Sequence, residues 1–175
     1  QPKNCATVLE CVETLRACGY TVTDDAVRRG LSSVRWMGRF EVLSKEPLVI
    51  YDGGHNPEGV TAFVESLVQM IPDRRVCLVC GVLRDKDYAH MVEALGRVTD
   101  RVFTLTIDNP RALPSDELAA ILGENGMEAT ACSSPEEAVK AAFAYAAEKN
   151  IPLVMNGSLY MYSEVIDTVK ELLNK

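Results

Sequence analysis

The amino-acid sequence predicts an α/β fold: a mainly parallel sheet with helices on both faces, preceded by two separate helices. Two observations carry that expectation. From Leu48 onward, strand-like apolar runs alternate with segments of helical period, and the connections between them are short. Alternation with short links implies right-handed crossover units and a sheet covered on both sides.

The elements follow in order. Cys5, Val8, Leu9, Val12 and Leu15 recur at helical spacing, and a second short helix is expected near Asp24 to Leu31. A first strand is expected near Phe40 to Leu43. The run LVIYD then stops abruptly at Asp52, where two glycines, a histidine and an Asn-Pro pair follow. From Asn56 to Ile71, the residues Val60, Phe63, Val64, Leu67, Val68 and Ile71 line one helical face, with Asn56 as N-cap and Pro57 in the first turn. RVCLVC reads as a strand, Tyr88, Met91, Val92 and Leu95 mark a helix, and RVFTLTI is strand-like by its β-branched content. Ser115 to Leu122 reads as helix, MEATAC as a short strand, Pro135 to Lys149 as helix and IPLVMN as a buried strand. Val165, Ile166, Val169, Leu172 and Leu173 mark a last helix. The whole is a Rossmann-like arrangement. There is no internal repeat and no low-complexity segment.

Composition narrows the function classes. The 175 residues suit one domain with a small appendage, and 47% hydrophobic with 25% charged residues is ordinary for a folded protein. A net charge of −7 without a basic face argues against a nucleic-acid surface. No apolar stretch approaches the roughly 20 residues that span a bilayer, and QPKN is unlike a secretory leader, so a cytoplasmic protein is expected. Six cysteines, mostly among apolar neighbours, are expected to be reduced core thiols. Cys77 and Cys80 have the spacing of a zinc knuckle, but they lie in a strand-like run with no second pair to complete four ligands. A start at Gln1 rather than Met leads us to expect a piece of a longer chain.

In open parallel sheets ligands gather beyond the carboxyl ends of strands, so the loops of interest are YDGGHN, CGVLRDKD, TIDNPRALPSD and MNGSLYMYSE. In the first, Gly53 and Gly54 allow close backbone approach, and the helix starting at Asn56 offers free amides to an anion. Asp52 suits sugar hydroxyls as an acceptor, and His55 adds a donor. The same stretch also reads as a plain βα turn with an exposed histidine. Arg39, just before the first strand, can fork onto a phosphate or be an ordinary surface arginine beside Trp36. Lys86 in RDKD can neutralise a reacting phosphate, or the segment can be a solvated helix start. His90 is read as surface. A hydrolase built on His55 and Asp52 lacks a GxSxG elbow or a nearby cysteine nucleophile. A stand-alone module that binds a nucleotide or another small ligand remains open as an alternative.

In order and spacing, QPKNCATVLECVETL, VRWMGRFEVL, YDGGHNP, GVLRDKD, NPRA and GSLYMYSEV resemble the motifs of the C-terminal domain of folylpolyglutamate and dihydrofolate synthases, within the Mur ligase superfamily. Met37, Gly54 and Ser163 depart from the family's Pro, Ala and Gly. The resemblance divides the chain into residues 1–35, a helical tail of an N-terminal ATPase domain plus linker, and residues 36–175, the C-terminal α/β domain. It implies an ATP- and Mg²⁺-dependent ligase in which a folate or dihydropteroate carboxyl is phosphorylated and the acyl phosphate is attacked by L-glutamate. It further implies that Asn4 meets adenine, Arg39 the phosphates, Asp52 the ribose, and His55 the phosphate or the incoming glutamate. Lys86 and Ser158 serve the glutamate side. No GxxxxGK[ST] occurs in the chain, so the triphosphate loop and the Mg²⁺ ligands are expected on the protein's own N-terminal domain, and the piece is expected to be inactive alone. A swing about residues 34–39 is expected to close the site.

Overall fold

The structure is a computed structural model that describes residues 2–174. The described chain divides between Met37 and Gly38 into two compact units.

The smaller unit holds α1 (Pro2–Ala17) and α2 (Asp24–Ser33). Thr23 caps α2 by accepting the Ala26 amide, satisfying one of the donors that a helix start leaves open. Arg16 ties the two helices together, donating to Glu13 and Asp24 at 2.7 Å and to the Val22 carbonyl at 2.7 Å. Val8, Leu9 and Leu15 are exposed within this unit, as are Trp36 and Met37.

The larger unit is built on β1 (Glu41–Lys45), β2 (Leu48–Asp52), α3 (Pro57–Met70), β3 (Val76–Cys80), α4 (Tyr88–Gly96) and β4 (Thr99–Thr104). It continues with α5 (Ser115–Glu124), β5 (Glu128–Ala131), α6 (Pro135–Lys149), β6 (Leu153–Asn156) and α7 (Tyr162–Leu173). The sheet order is β1-β2-β6-β3-β4-β5, parallel from β2 to β5, with β1 antiparallel at one edge. The first strand starts one residue later than expected because Phe40 has a left-handed φ of 43° and stands outside it.

Alternation along the strands sorts the core into two layers. Ile50, Leu78, Cys80, Val102 and Val154 pack with α3, α4 and α5, whereas Val49, Tyr51, Cys77, Val79, Phe103, Leu153 and Met155 pack with α6 and α7. Cys77 and Cys80 therefore point to opposite faces of one strand, which a shared metal ion does not permit. Burial pushes both thiols up to about 12. The expectation of core thiols holds for these two and for Cys132, but Cys11 and Cys18 are exposed and Cys5 is half-buried. These last three lie on α1 or just past it, and the helix's apolar residues Val8, Leu9 and Leu15 are exposed too. No helix among the described residues is long and apolar enough to cross a membrane.

The insertion of β6 between β2 and β3 positions the site. The helices that follow β2 and β3 lie on one face and the helix that follows β6 lies on the other. The outgoing chains therefore diverge beyond Asp52, Asn156 and Cys80, which are partners in register, at the strand-order switch beside which open parallel sheets gather their ligands.

Candidate functional site

Four segments meet at this carboxyl edge: the turn after β2, the loops after β6 and β3, and the residues just before β1. The turn is built from its own polar groups. Asn56 caps α3, its Oδ1 accepting the Gly59 amide at 2.8 Å, and Pro57 follows at a position where its missing N–H costs nothing. The His55 Nδ1 lies 3.0 Å from the Gly53 carbonyl. A carbonyl only accepts, so Nδ1 carries the proton and Nε2 of the neutral ring keeps its lone pair. The imidazole is half-buried.

Asp52 is 5% exposed, and both carboxylate oxygens are engaged. Oδ1 accepts the Gly54 amide and Oδ2 the Phe40 amide, each at 2.7 Å. Burial raises the carboxyl above its ordinary value, and the two amides, with Arg39 and His55 behind them, pull it back down. Two amides occupy two of the roughly four lone-pair sites of a carboxylate, so capacity for further donors remains. Arg39 is exposed on the segment before β1, next to Phe40.

Asn156 closes β6 as Asp52 closes β2. Its Nδ2 donates to the Asp52 carbonyl at 3.0 Å, while its buried Oδ1 has no partner among the described residues. Gly157, at φ 126°, lets the loop after β6 pass the loop after β3, since a Cβ there would stand 2.4 Å from the Gly81 oxygen. Likewise a Cβ at Gly53 would meet Leu159 Cδ2 at 2.3 Å, so the turn after β2 and the loop after β6 are in backbone-close contact. Ser158 is 2% exposed. Its carbonyl accepts the Tyr51 hydroxyl at 2.7 Å and its Oγ the Tyr160 amide at 3.2 Å, which leaves its own hydroxyl hydrogen to donate. Tyr51 stacks edge-on against Tyr162 with ring centres 4.9 Å apart.

Lys86 lies half-buried in the loop after β3, 3.8 Å from Asp85, and Arg111 reaches the same carboxylate at 3.3 Å from the loop after β4. These two loops are stitched by Arg84 N–H to Arg111 O at 2.8 Å and Leu113 N–H to Val82 O at 3.0 Å. Asp87 caps α4 and holds the exposed His90, in the helix's first turn, at 2.7 Å.

The structure thus gathers Arg39, Asp52, His55, Ser158 and Lys86 on the carboxyl edge of one sheet, while Asn4 belongs to α1 in the smaller unit. Sequence reasoning had not singled out Asn156, Arg111 or Tyr51. A polar residue ending an apolar run is the signal Asn156 shares with Asp52.

A doubly wound sheet with polar loops at its strand-order switch is the architecture of ligand-binding α/β domains. Residues 38–159 match the family model described as Mur ligase, glutamate ligase domain. The chain belongs to this family. It is 30% identical over 171 residues to folylpolyglutamate synthase of Lacticaseibacillus casei, covering 97% of this chain and 38% of that protein. It is also 32% identical over 166 residues to dihydrofolate synthase/folylpolyglutamate synthase of Escherichia coli K12, covering 95% and 37%. Among solved structures, Mycobacterium tuberculosis folylpolyglutamate synthase complexed with ADP superposes with a TM-score of 0.76 at 29% identity, over 86% of this chain and 36% of that one. A bifunctional folylpolyglutamate synthase/dihydrofolate synthase with Mn, AMPPNP and L-glutamate bound gives 0.75 at 28%, over 91% and 38%. The chain spans less than two fifths of the length of these relatives. The family expected from the sequence motifs is therefore borne out.

Proposed function

We propose that this chain is the glutamate ligase domain of an ATP-dependent carboxylate–amine ligase that adds L-glutamate to a folate, or to dihydropteroate. In that reaction ATP phosphorylates the acceptor carboxyl, releasing ADP. The glutamate amine then attacks the acyl carbon and expels phosphate, forming the amide. The observation that carries the reading is the meeting of the Arg39 segment and the His55 turn on one buried carboxylate at the sheet's switch point, inside the segment that matches the family. The printed names and ligands of the relatives, ADP, AMPPNP with Mn, and L-glutamate, supply the substrate classes.

On this reading the Arg39 guanidinium and the amides at the α3 start meet the nucleotide phosphates, and Asp52 offers its remaining lone pairs to ribose hydroxyls. His55 Nε2 takes a proton from the incoming ammonium or, once protonated, donates to phosphate. Lys86 and the Ser158 hydroxyl serve the glutamate carboxylates and the acyl-phosphate intermediate, and Asn4 the adenine. Charge develops on phosphate and acyl oxygens, where fixed donors act most strongly once water is expelled. Mg²⁺ accompanies ATP in such reactions, and among the described residues no group of three His, Cys, Asp or Glu side chains is placed together to hold an ion. We place its ligands and the triphosphate loop on an N-terminal domain, with residues 1–35 as that domain's tail and residues 36–175 as the C-terminal domain, in a cytoplasmic enzyme.

The test is glutamate- and folate-dependent ADP release by the intact ligase. His55→Ala and Arg39→Ala are each expected to lower kcat/KM by about 100-fold or more. Near-parental values for both would remove the residue assignments. No glutamate-dependent release by the unmodified enzyme would remove the ligase reading itself.

A further inference from the structure

We propose that Asp52 is a positioning residue: its carboxylate holds Phe40 in a left-handed backbone conformation and so fixes Arg39 beside the His55 turn. The proposal rests on the ligase reading for what Arg39 and His55 do, but its geometric content stands on the contacts alone.

Phe40 has φ 43°, a region that bulky L residues seldom occupy and that persists only when its surroundings over-determine it. Two contacts do so. Its amide donates to Asp52 Oδ2 at 2.7 Å, and its ring packs against Phe63 of α3 with centres 5.8 Å apart. On the other side of Arg39, Gly38 is also left-handed, at φ 68°. The Gly38 amide donates to Glu41 Oε2 at 2.7 Å, and its carbonyl accepts the Gly53 amide at 2.7 Å. Arg39 is thus bracketed by two tethered left-handed residues, and each bracket is bonded to β2 or to the turn that follows it. The second Asp52 oxygen holds Gly54, one residue before His55, and the Asp52 carbonyl is anchored by Asn156. One carboxylate therefore spans the Arg39 segment and the His55 turn, with β6 as its footing. Without it, Phe40 relaxes to a negative φ, the flanking peptide reorients, and Arg39 is carried away from the His55 turn.

A residue that only contacts ribose and a residue that holds Phe40 respond differently to a second substitution. Asp52→Asn keeps the side-chain size but replaces one accepting oxygen with an amino group that cannot accept. In the intact ligase it is expected to lower kcat/KM by about 100-fold, the scale of an ångström-level misplacement. Adding Phe40→Gly, or Phe40→Asn as a second left-handed-tolerant choice, removes the backbone penalty and is expected to restore activity about tenfold. A double variant no better than Asp52→Asn alone overturns the proposal. Should the Phe40 variants fail to fold, amide hydrogen exchange decides. In the 175-residue chain, Asp52→Ala, which leaves no acceptor for either amide, is expected to speed exchange at Phe40 at least about tenfold while amides in β3 and β4 are unchanged. Unaltered Phe40 exchange refutes the tether. If the unmodified enzyme shows no ligase activity, the functional reading falls and the exchange result still decides the tether.

Discussion

Gly157→Ala tests the close approach of the loops after β6 and β3. The added Cβ would stand 2.4 Å from the Gly81 carbonyl oxygen and 3.1 Å from both the Gly81 carbonyl carbon and Val82 Cγ1. A carbon and a carbonyl oxygen normally approach no nearer than about 3.3 Å, so one loop must withdraw by about 1 Å. The obstacle is backbone, which cannot swing aside as a side chain can. The φ of 126° adds strain of about 1–3 kcal/mol for an L residue, and the crowding about 1–3 kcal/mol more. A total near 4 kcal/mol lowers Tm by about 8–16 °C at the size of this chain. Thermal unfolding followed by circular dichroism measures it. Gly123→Ala is the control of opposite sign, because Gly123 sits in α5 with nothing within 4 Å of the added carbon. It is expected to stabilise by about 0.5–1 kcal/mol. A Gly157→Ala shift under about 3 °C would show that the loops are not in the contact described.

Tyr51→Phe removes the buried hydroxyl that donates to the Ser158 carbonyl at 2.7 Å, and a loss of about 1–3 kcal/mol is expected in urea unfolding. An unchanged midpoint would mean that this bond does not hold the loop after β6. The pH dependence of Asp52 follows from its raised pKa, for which burial is the main cause, above an ordinary 3.8. A carboxyl whose folded pKa exceeds its unfolded value contributes its stability fully below the unfolded pKa and loses it as pH rises through the folded one. The stability of the parent relative to Asp52→Asn should therefore decline as pH rises above about 4, read from urea midpoints. A relative stability that grows with pH would contradict the dominance of burial.

The local grammar of this fold was legible and its long-range pairing was not. The spacing from Val60 to Ile71 and the Asn-Pro start specify α3, because helix period and cap chemistry are written within about a dozen residues. Nothing local places β6 between β2 and β3, because that order depends on which face each crossover helix takes. RVFTLTI pointed to β4, yet the strand runs Thr99–Thr104. Leu105 and Ile107 are buried beyond its end because the loop itself is packed. At the site, the carboxyl edge with Asp52, His55 and Lys86 could be read from where apolar runs end, whereas Arg39 is read from its place before the first strand and Ser158 comes only through the resemblance to the family's motifs. The burial of Asp52 could not, because an aspartate before two glycines has the pattern of an open turn. Its partners come from 12 residues upstream and 104 residues downstream.

The antiparallel edge strand has a mechanical consequence. β1 has a single neighbour, and its first pair in register, Glu41 with Tyr51, stands beside the turn after β2. Tension arriving along the backbone from before Gly38 meets the Gly38–Gly53 and Phe40–Asp52 bonds and then that pair, and an outermost ribbon yields like a zipper, rung by rung, rather than by shearing the whole sheet at once. The rung nearest the turn after β2 thus acts as a fuse, so that strain on it would loosen that corner while leaving both packed layers intact.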